Sequence, residues 1–292
     1  MSIFLTGSSG FVGKNLISYF NDRFFIKRYK RDSSIKIEQD YVIHLAGKAH
    51  DTKNTFSKRD YFKINTDLTK QVFDSFLESK AKVFIMLSSV KAVADSVDGI
   101  LLESQLPSPK TDYGKSKLMA ENYILSKSIP VDKKVFILRP CMIHGPNNKG
   151  NMNLLFNFIS KNIPWFLGSF ENKRSYCSIE NLCFVINEIL ENFNYESGIY
   201  NVSDDEPLST NEVVLLISKS INKKKLIVKF PVKIVKFIAK IGDFTKFPLN
   251  SERLKKLTES YVVSNKKITE LIGKPLPVCS KSGLLRTFKS FK

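Results

Sequence analysis

The first turn of the chain limits what it can become. Ser2–Thr6 is a short apolar run closed by Gly7-Ser-Ser-Gly10, after which Phe11, Val12, Leu16, Ile17 and Phe20 recur at helical spacing. The order is strand, glycine turn, helix, and no signal peptide is expected ahead of a strand that begins at Ser2. The glycines fall as Gly7-x-x-Gly10-x-x-Gly13. Such a turn needs residues without a Cβ where the backbone closes on a pyrophosphate. The free N–H groups of the helix start then face the phosphates. The expected ligand of this junction is a dinucleotide.

Strands and helices alternate beyond it. Phe24-Phe25-Ile26 runs into the basic tip Lys27-Arg28-Tyr29-Lys30-Arg31. A basic tip suits a ribose 2′-phosphate and an acidic one suits the free 2′-hydroxyl. Arg31 therefore points to NADP, against the plain alternative of a solvated loop. Asp40–Gly47 reads as a buried strand ending in small residues, and His44 within it reads as a structural histidine. A long helix is expected from about Phe56 to Glu78. Asn65 falls in its middle, where an amide is a poor helix former but can bond neighbouring backbone. Lys82–Ser89 is continuously apolar, as a strand covered on both faces should be, and it ends in Ser88 and Ser89. In open α/β sheets ligands bind outside the carboxyl ends of the strands. Val135–Leu138 is a further strand, followed by Arg139-Pro140. The alternation predicts a doubly wound parallel sheet.

Tyr113 and Lys117 lie four apart at the start of another expected helix, so they share a face. A nearby ammonium favours a phenolate, and the pair is a means of moving protons at neutral pH. A solvated helix face is the alternative for the pair taken alone. After Gly150 the alternation weakens. Helices are expected near Met152–Lys161, Thr210–Lys219 and Val232–Ile241, while Ile199–Val202 still reads as a sheet strand. This predicts a smaller, mostly helical lobe at about 151–172 and 204–292, beside a first lobe of 1–150 plus about 173–203.

The net charge of +18 over 292 residues admits an anionic ligand, an acidic membrane surface or nucleic acid. The basic residues are spread along the chain and no nucleic-acid motif occurs, so the charge reads as compositional bias and no nucleic-acid partner is expected. No apolar run is long enough to span a bilayer, and no stable membrane insertion is expected. Val232–Ile241 is nevertheless basic and amphipathic, which suits either an ordinary surface helix or one lying on an acidic membrane. Cys141, Cys177, Cys183 and Cys279 lack metal-site or redox spacing. They read as reduced thiols of a cytoplasmic protein.

Taken in order, Gly7/Gly10/Gly13, His44-Leu-Ala-Gly47, Asn65, Ser88-Ser89, Tyr113/Lys117, and Arg139-Pro140 with Gly145-Pro146 resemble the extended short-chain dehydrogenase/reductases of the NAD-dependent epimerase/dehydratase family. The likeness runs from Ser2 to Leu208 and fits the last third only loosely. It implies a Rossmann domain, NAD or NADP, and a nucleotide-sugar substrate. It further implies that Gly7, Gly10, Phe11, Val12 and Gly13 hold the pyrophosphate. Leu45, Ala46, Gly47, Asn65, Ser88 and Pro140 would surround the rest of the cofactor. Ser89 would bond the reacting oxygen, Tyr113 would be the acid/base, and Lys117 would hold the nicotinamide ribose and lower the tyrosine pKa. Asn151 and Arg174 would meet the substrate diphosphate.

Departures from the family pattern narrow the choice. Gly47 replaces a common alanine, Leu68 a common glycine and His144 a common tyrosine. Val90-Lys91-Ala92 stands where sugar 4,6-dehydratases carry Asp-Glu, which argues against dehydration. The expected activity is modification at C4, as in a UDP-hexose 4-epimerase passing through a 4-keto sugar. The alternatives are an NADPH-dependent reductase of a UDP-4-keto-6-deoxy sugar, an enzyme acting on a lipid-linked sugar, and a non-catalytic dinucleotide-binding protein. The sequence leaves the oligomeric state open, a homodimer included.

Overall fold

A computed structural model describes residues 1–31, 33–49, 57–148, 150–161, 163–224, 226–245 and 249–291, with only the backbone at residue 151. Six parallel strands form the central sheet: β1 (Ser2–Thr6), β2 (Phe25–Arg28), β3 (Tyr41–His44), β4 (Val83–Leu87), β5 (Lys134–Pro140) and β6 (Gly198–Val202). Their spatial order is β2-β1-β3-β4-β5-β6. The order reverses at β1, so the carboxyl ends of β1 and β3 form the switch point where α/β folds bind ligands.

Only one strand lies outboard of β1. The stretch from Tyr29 to Asp40 carries no helix or strand among its described residues. A parallel crossover takes about a dozen residues or more, so this segment is too short to hold both a crossover helix and another strand.

Period-two patterning sends alternate strand residues into two apolar layers. Ile3 and Leu5 of β1, Val83, Ile85 and Leu87 of β4, and Phe136 and Leu138 of β5 pack with Leu16 and Phe20 of α1 (Phe11–Phe20). Phe4, Phe84, Met86, Val135 and Ile137 face the other way. They meet Val72, Phe73 and Phe76 of the helix α2 (58–78) and Ala120 and Ile124 of α3 (Asp112–Leu125). Both faces are covered, which is why β4 could be apolar at every position.

A second apolar cluster lies apart from these two layers, and we propose it as the core of a second lobe. It joins α4 (Asn151–Ser160), Trp165 and Leu167 to helices further along the chain. Past α5 (Ile179–Glu191), which lies on the sheet, these are α6 (Thr210–Ser220), α7 (Val232–Phe244) and α8 (Ser251–Thr258). Beyond α9 (Lys266–Ile272) comes α10 (Ser280–Lys289), whose Leu284 and Phe288 complete the cluster. Tyr261, Val263, Ile268 and Ile272 instead pack with the sheet, and Val262–Val263 pairs with Ile100–Leu101. We propose a lobe boundary that returns the chain to the first lobe over this stretch as well.

A buried polar clamp ties the two proposed lobes together. Met142–His144 pairs with Tyr176–Ser178. His144 lies 3.1 Å from Asp204 Oδ2 and 2.9 Å from Thr287 Oγ1 of α10. Asp204 Oδ1 accepts from Ser178 N and from Asn181 Nδ2, each at 2.7 Å. His144, whose role the sequence left open, is a structural strut. Removing the carboxylate should strand these donors. Asp204→Ala is expected to cost about 3 kcal/mol or more, read as a lowered urea midpoint.

Candidate active site

The glycine turn closes tightly on the next strand. Gly7 has φ +71°, and a Cβ there would sit 2.7 Å from Ala46 N. A Cβ on Gly13 would lie 2.4 Å from Gly7 O. Helix α1 starts at Gly10 with no side-chain cap and no acidic residue in its first turn. Its N-terminal N–H groups are thus left for an anion.

His44 braces this cradle from behind. Thr69 Oγ1 gives its proton to Asn65 O at 2.7 Å, so it accepts from His44 Nε2–H at 2.9 Å. Thr6 Oγ1 accepts from Ala46 N at 3.1 Å and donates to His44 Nδ1 at 2.8 Å. Burial, with Lys117 nearby, lowers the imidazole to about 3. It is a neutral spacer and takes no part in proton transfer.

Asn65 lies in a π-helical turn, Lys63–Asp67, inside α2. Such turns often mark functional positions. Here the turn lets both Asn65 and Thr66 grip Ser116 of α3, through its hydroxyl and its carbonyl. Asn65 Oδ1 also accepts from Lys48 N at 2.8 Å. The buried amide shapes the Gly47–Lys48 loop, and a Cβ on Gly47 would fall 2.9 Å from Lys117 Nζ.

The start of α3 is pressed against the turn that follows β4. A Cβ on Gly114 would lie 2.3 Å from Lys91 O. Asp95 accepts from Lys110 N, Thr111 N and Thr111 Oγ1, and Thr111 caps the helix through Gly114 N. These contacts bring the Tyr113 phenol to Ser89. Burial raises the phenol pKa, and the hydrogen bond with Ser89 opposes the rise. The sequence reading had Lys117 lowering it. In the protein alone burial dominates at Tyr113, and the Lys117 ammonium donates to Leu87 O at 2.9 Å.

Lys117 is itself buried, and desolvation depresses it to about 8 against a pull from Glu121. Beneath it Glu121 is held by Arg139 Nε and Nη2 and by Ser88 Oγ. Ser88 is thereby a support for the helix as well as a cleft wall.

These groups open into one cleft of about 2250 Å³, larger than the ~300–1,000 Å³ of a drug-sized site. Gly7, Gly10, Phe11, Val12, Gly13, Leu45, Gly47, Ser88, Ser89, Tyr113, Lys117 and Pro140 line it. Ala46 and Asn65 stand behind the wall. Arg174 lines the cleft as well; its Nη2 donates to Glu259 O at 3.2 Å and its buried Nε has no partner among the described residues. Arg31 lies on the exposed loop after β2 and is not among the residues that line the cleft. The side chain of Asn151 lies outside the described residues.

The sequence reading missed Tyr61, Lys91, Arg253 and Lys256, all of which line the cleft. Tyr61 stacks edge-on to Tyr113 at 6.3 Å. Lys91 Nζ donates to Asp95 O at 2.7 Å and sits 4.2 Å from the Tyr261 ring centre. Its place two residues after Ser89 was the available signal. Arg253 and Lys256 gave none, being ordinary charges on a surface-type helix.

The sequence model of the NAD dependent epimerase/dehydratase family matches residues 3–203. The chain belongs to that family. It is 28% identical to the UDP-glucose 4-epimerase of Vibrio cholerae, across 99% of this chain and 95% of that one. It is 27% identical to the N-acetyl-alpha-D-glucosaminyl-diphospho-ditrans,octacis-undecaprenol 4-epimerase of Escherichia coli O157:H7, over 76% and 73%. Among solved structures, the UDP-glucuronic acid 4-epimerase of Bacillus cereus in complex with NAD superposes with a TM-score of 0.76 at 19% identity, over 100% and 98% of the two chains. The glycine cradle, filled by any added Cβ, fits the NAD(P) the family uses.

Two outcomes follow from this geometry. Gly7→Ala forces a Cβ onto the β3 loop at a positive φ, and NADH binding followed by fluorescence should be lost. A buried lysine depressed to about 8 from 10.5 binds its proton more tightly when unfolded, so folded stability rises with pH across that window. Urea unfolding at about pH 7 and about pH 9.5 should show this gain in the wild type. Lys117→Met should lack that part of it.

Proposed function

We propose that the protein is a nucleotide-sugar 4-epimerase of the UDP-hexose type. The observation that carries the reading is the Tyr113 phenol, hydrogen-bonded to Ser89 beside the glycine cradle, in a cleft with room for a dinucleotide and a nucleotide sugar together. The UDP-sugar and diphospho-sugar 4-epimerases among its relatives support the substrate class.

Tyr113 Oη takes the proton of the C4 hydroxyl as that carbon becomes a ketone, and returns it when the carbon is reduced from the other face. Bound nicotinamide supplies the hydride acceptor and donor. Ser89 donates to the same sugar oxygen and steadies its developing charge. Burial keeps Tyr113 protonated in the protein alone, so a positive charge arriving beside it favours the phenolate when oxidation begins. Lys117, fixed on Leu87 O, keeps donors for a cofactor ribose. Arg174 carries an unspent N–H suited to a diphosphate. With Val90-Lys91-Ala92 after Ser89, no acidic pair is in place to eliminate the C6 hydroxyl. A cytoplasmic location fits the four free thiols.

Interconversion of UDP-glucose and UDP-galactose, or of their N-acetylamino counterparts, tests the reading. Tyr113→Phe should leave NADH binding intact and lower turnover about 10²–10⁴-fold. Net consumption of NADPH with a UDP-4-keto-6-deoxy sugar, without interconversion of any UDP-hexose, would replace the epimerase with a reductase.

A further inference from the structure

Helix α7 is built the wrong way round for a core-packing helix. Its buried positions are Val235, Ala239 and Gly242, while Ile234, Phe237, Ile238, Ile241 and Phe244 are exposed. Phe237 is 64% and Phe244 92% exposed. At about 100° per residue the buried residues span a sector of roughly 60°. The exposed apolar residues fill roughly 120° beside it. Gly242 is small for a reason, since a Cβ there would meet Leu249 O at 2.0 Å. The helix therefore lies close on the lobe by its small side and offers its large apolar side outward.

The lysines of α7 add a second observation. Lys233, Lys236 and Lys240 share one sector of roughly 60° along the edge of the apolar stripe. Among the described residues none of them is ion-paired. The apolar surface also continues beyond the helix. Phe230, just ahead of its first turn, stacks edge-on with Phe166 at 5.6 Å, and Phe166 lines the cleft. Leu154, Phe158 and Ile163, further cleft residues, are exposed as well.

We propose that α7 docks the protein on an anionic lipid surface, with the helix in the plane of the interface. Phe237, Ile241 and Phe244 enter the acyl boundary and Lys233, Lys236 and Lys240 meet the headgroups. An exposed apolar stripe of this size marks an interaction surface, and a lysine row along its edge is the charge pattern of an interfacial helix. An anionic headgroup layer supplies counter-charge to the whole lysine row while the acyl boundary takes the apolar stripe. No described helix is long and apolar enough to cross a membrane, so the attachment is peripheral. The Phe230–Phe166 contact sets the cleft mouth beside the lipid.

The test is sedimentation of the whole protein with phosphatidylglycerol/phosphatidylcholine vesicles and with phosphatidylcholine vesicles alone. Co-sedimentation is expected with the anionic vesicles and should weaken as salt is raised. Replacing one lysine by glutamine should lower the partition coefficient about fivefold. Phe237→Glu with Ile241→Glu should abolish binding while cofactor binding and turnover in solution persist, which shows that the variant folds. Absence of binding to anionic vesicles, or binding unchanged by these substitutions, overturns the proposal. So does sedimentation velocity showing that the same substitutions split a dimer, since the stripe would then belong to a second copy.

Discussion

A buried carboxylate organises the catalytic end of the sheet. Glu121 on α3 accepts three hydrogen bonds from Arg139 at the end of β5 and one from Ser88 just past the end of β4. One turn earlier on the same helix, Lys117 bonds Leu87 O. The helix is therefore fixed in rotation and in height against two strand ends at once. Tyr113, one further turn back, has no freedom left to choose its place. A buried ion pair is costly to desolvate and adds little net stability over an apolar contact. Its worth here is positional, because an apolar contact would allow the helix to slide.

Much of this was legible in the residues. The short apolar runs of β1 and β5, the continuous apolar run of β4 and the glycine turn follow from local rules that tertiary contacts did not override. The Tyr113–Lys117 spacing put both groups on one face, which geometry alone guarantees. What could not be read was electrostatic balance. From spacing, Lys117 is simply a cation near a phenol. Only the fold shows that one of its N–H donors is fixed on Leu87 O and that burial dominates at Tyr113. The π-helical turn at Asn65 was foreshadowed by a misplaced amide, but the choice of Ser116 as partner needed the packing of α2 on α3. Arg253 and Lys256 illustrate the opposite case, since nothing in an exposed helix says which cavity its charges will border.

The two lobes divide the work between rigidity and reach. The first lobe supplies a cradle fixed by backbone contacts and by a neutral histidine between two threonines. The second brings longer charged side chains to the cleft, Arg253 and Lys256 among them, suited to a ligand part that varies more than a dinucleotide does. The His144–Asp204 clamp joins the lobes through hydrogen bonds to α10 and α5, so relative movement would have to rotate about it.

The short link between β2 and β3 has an effect on colloidal behaviour. With no further strand outboard among the described residues, β2 is one edge of the sheet, and its sequence is Phe25-Ile26-Lys27-Arg28. Open edges invite pairing with another chain. Here two consecutive cations stand on that edge, and Lys27 reaches to Lys36 O of the adjoining loop at 3.3 Å. Extending the sheet through two such edges would place like charges side by side.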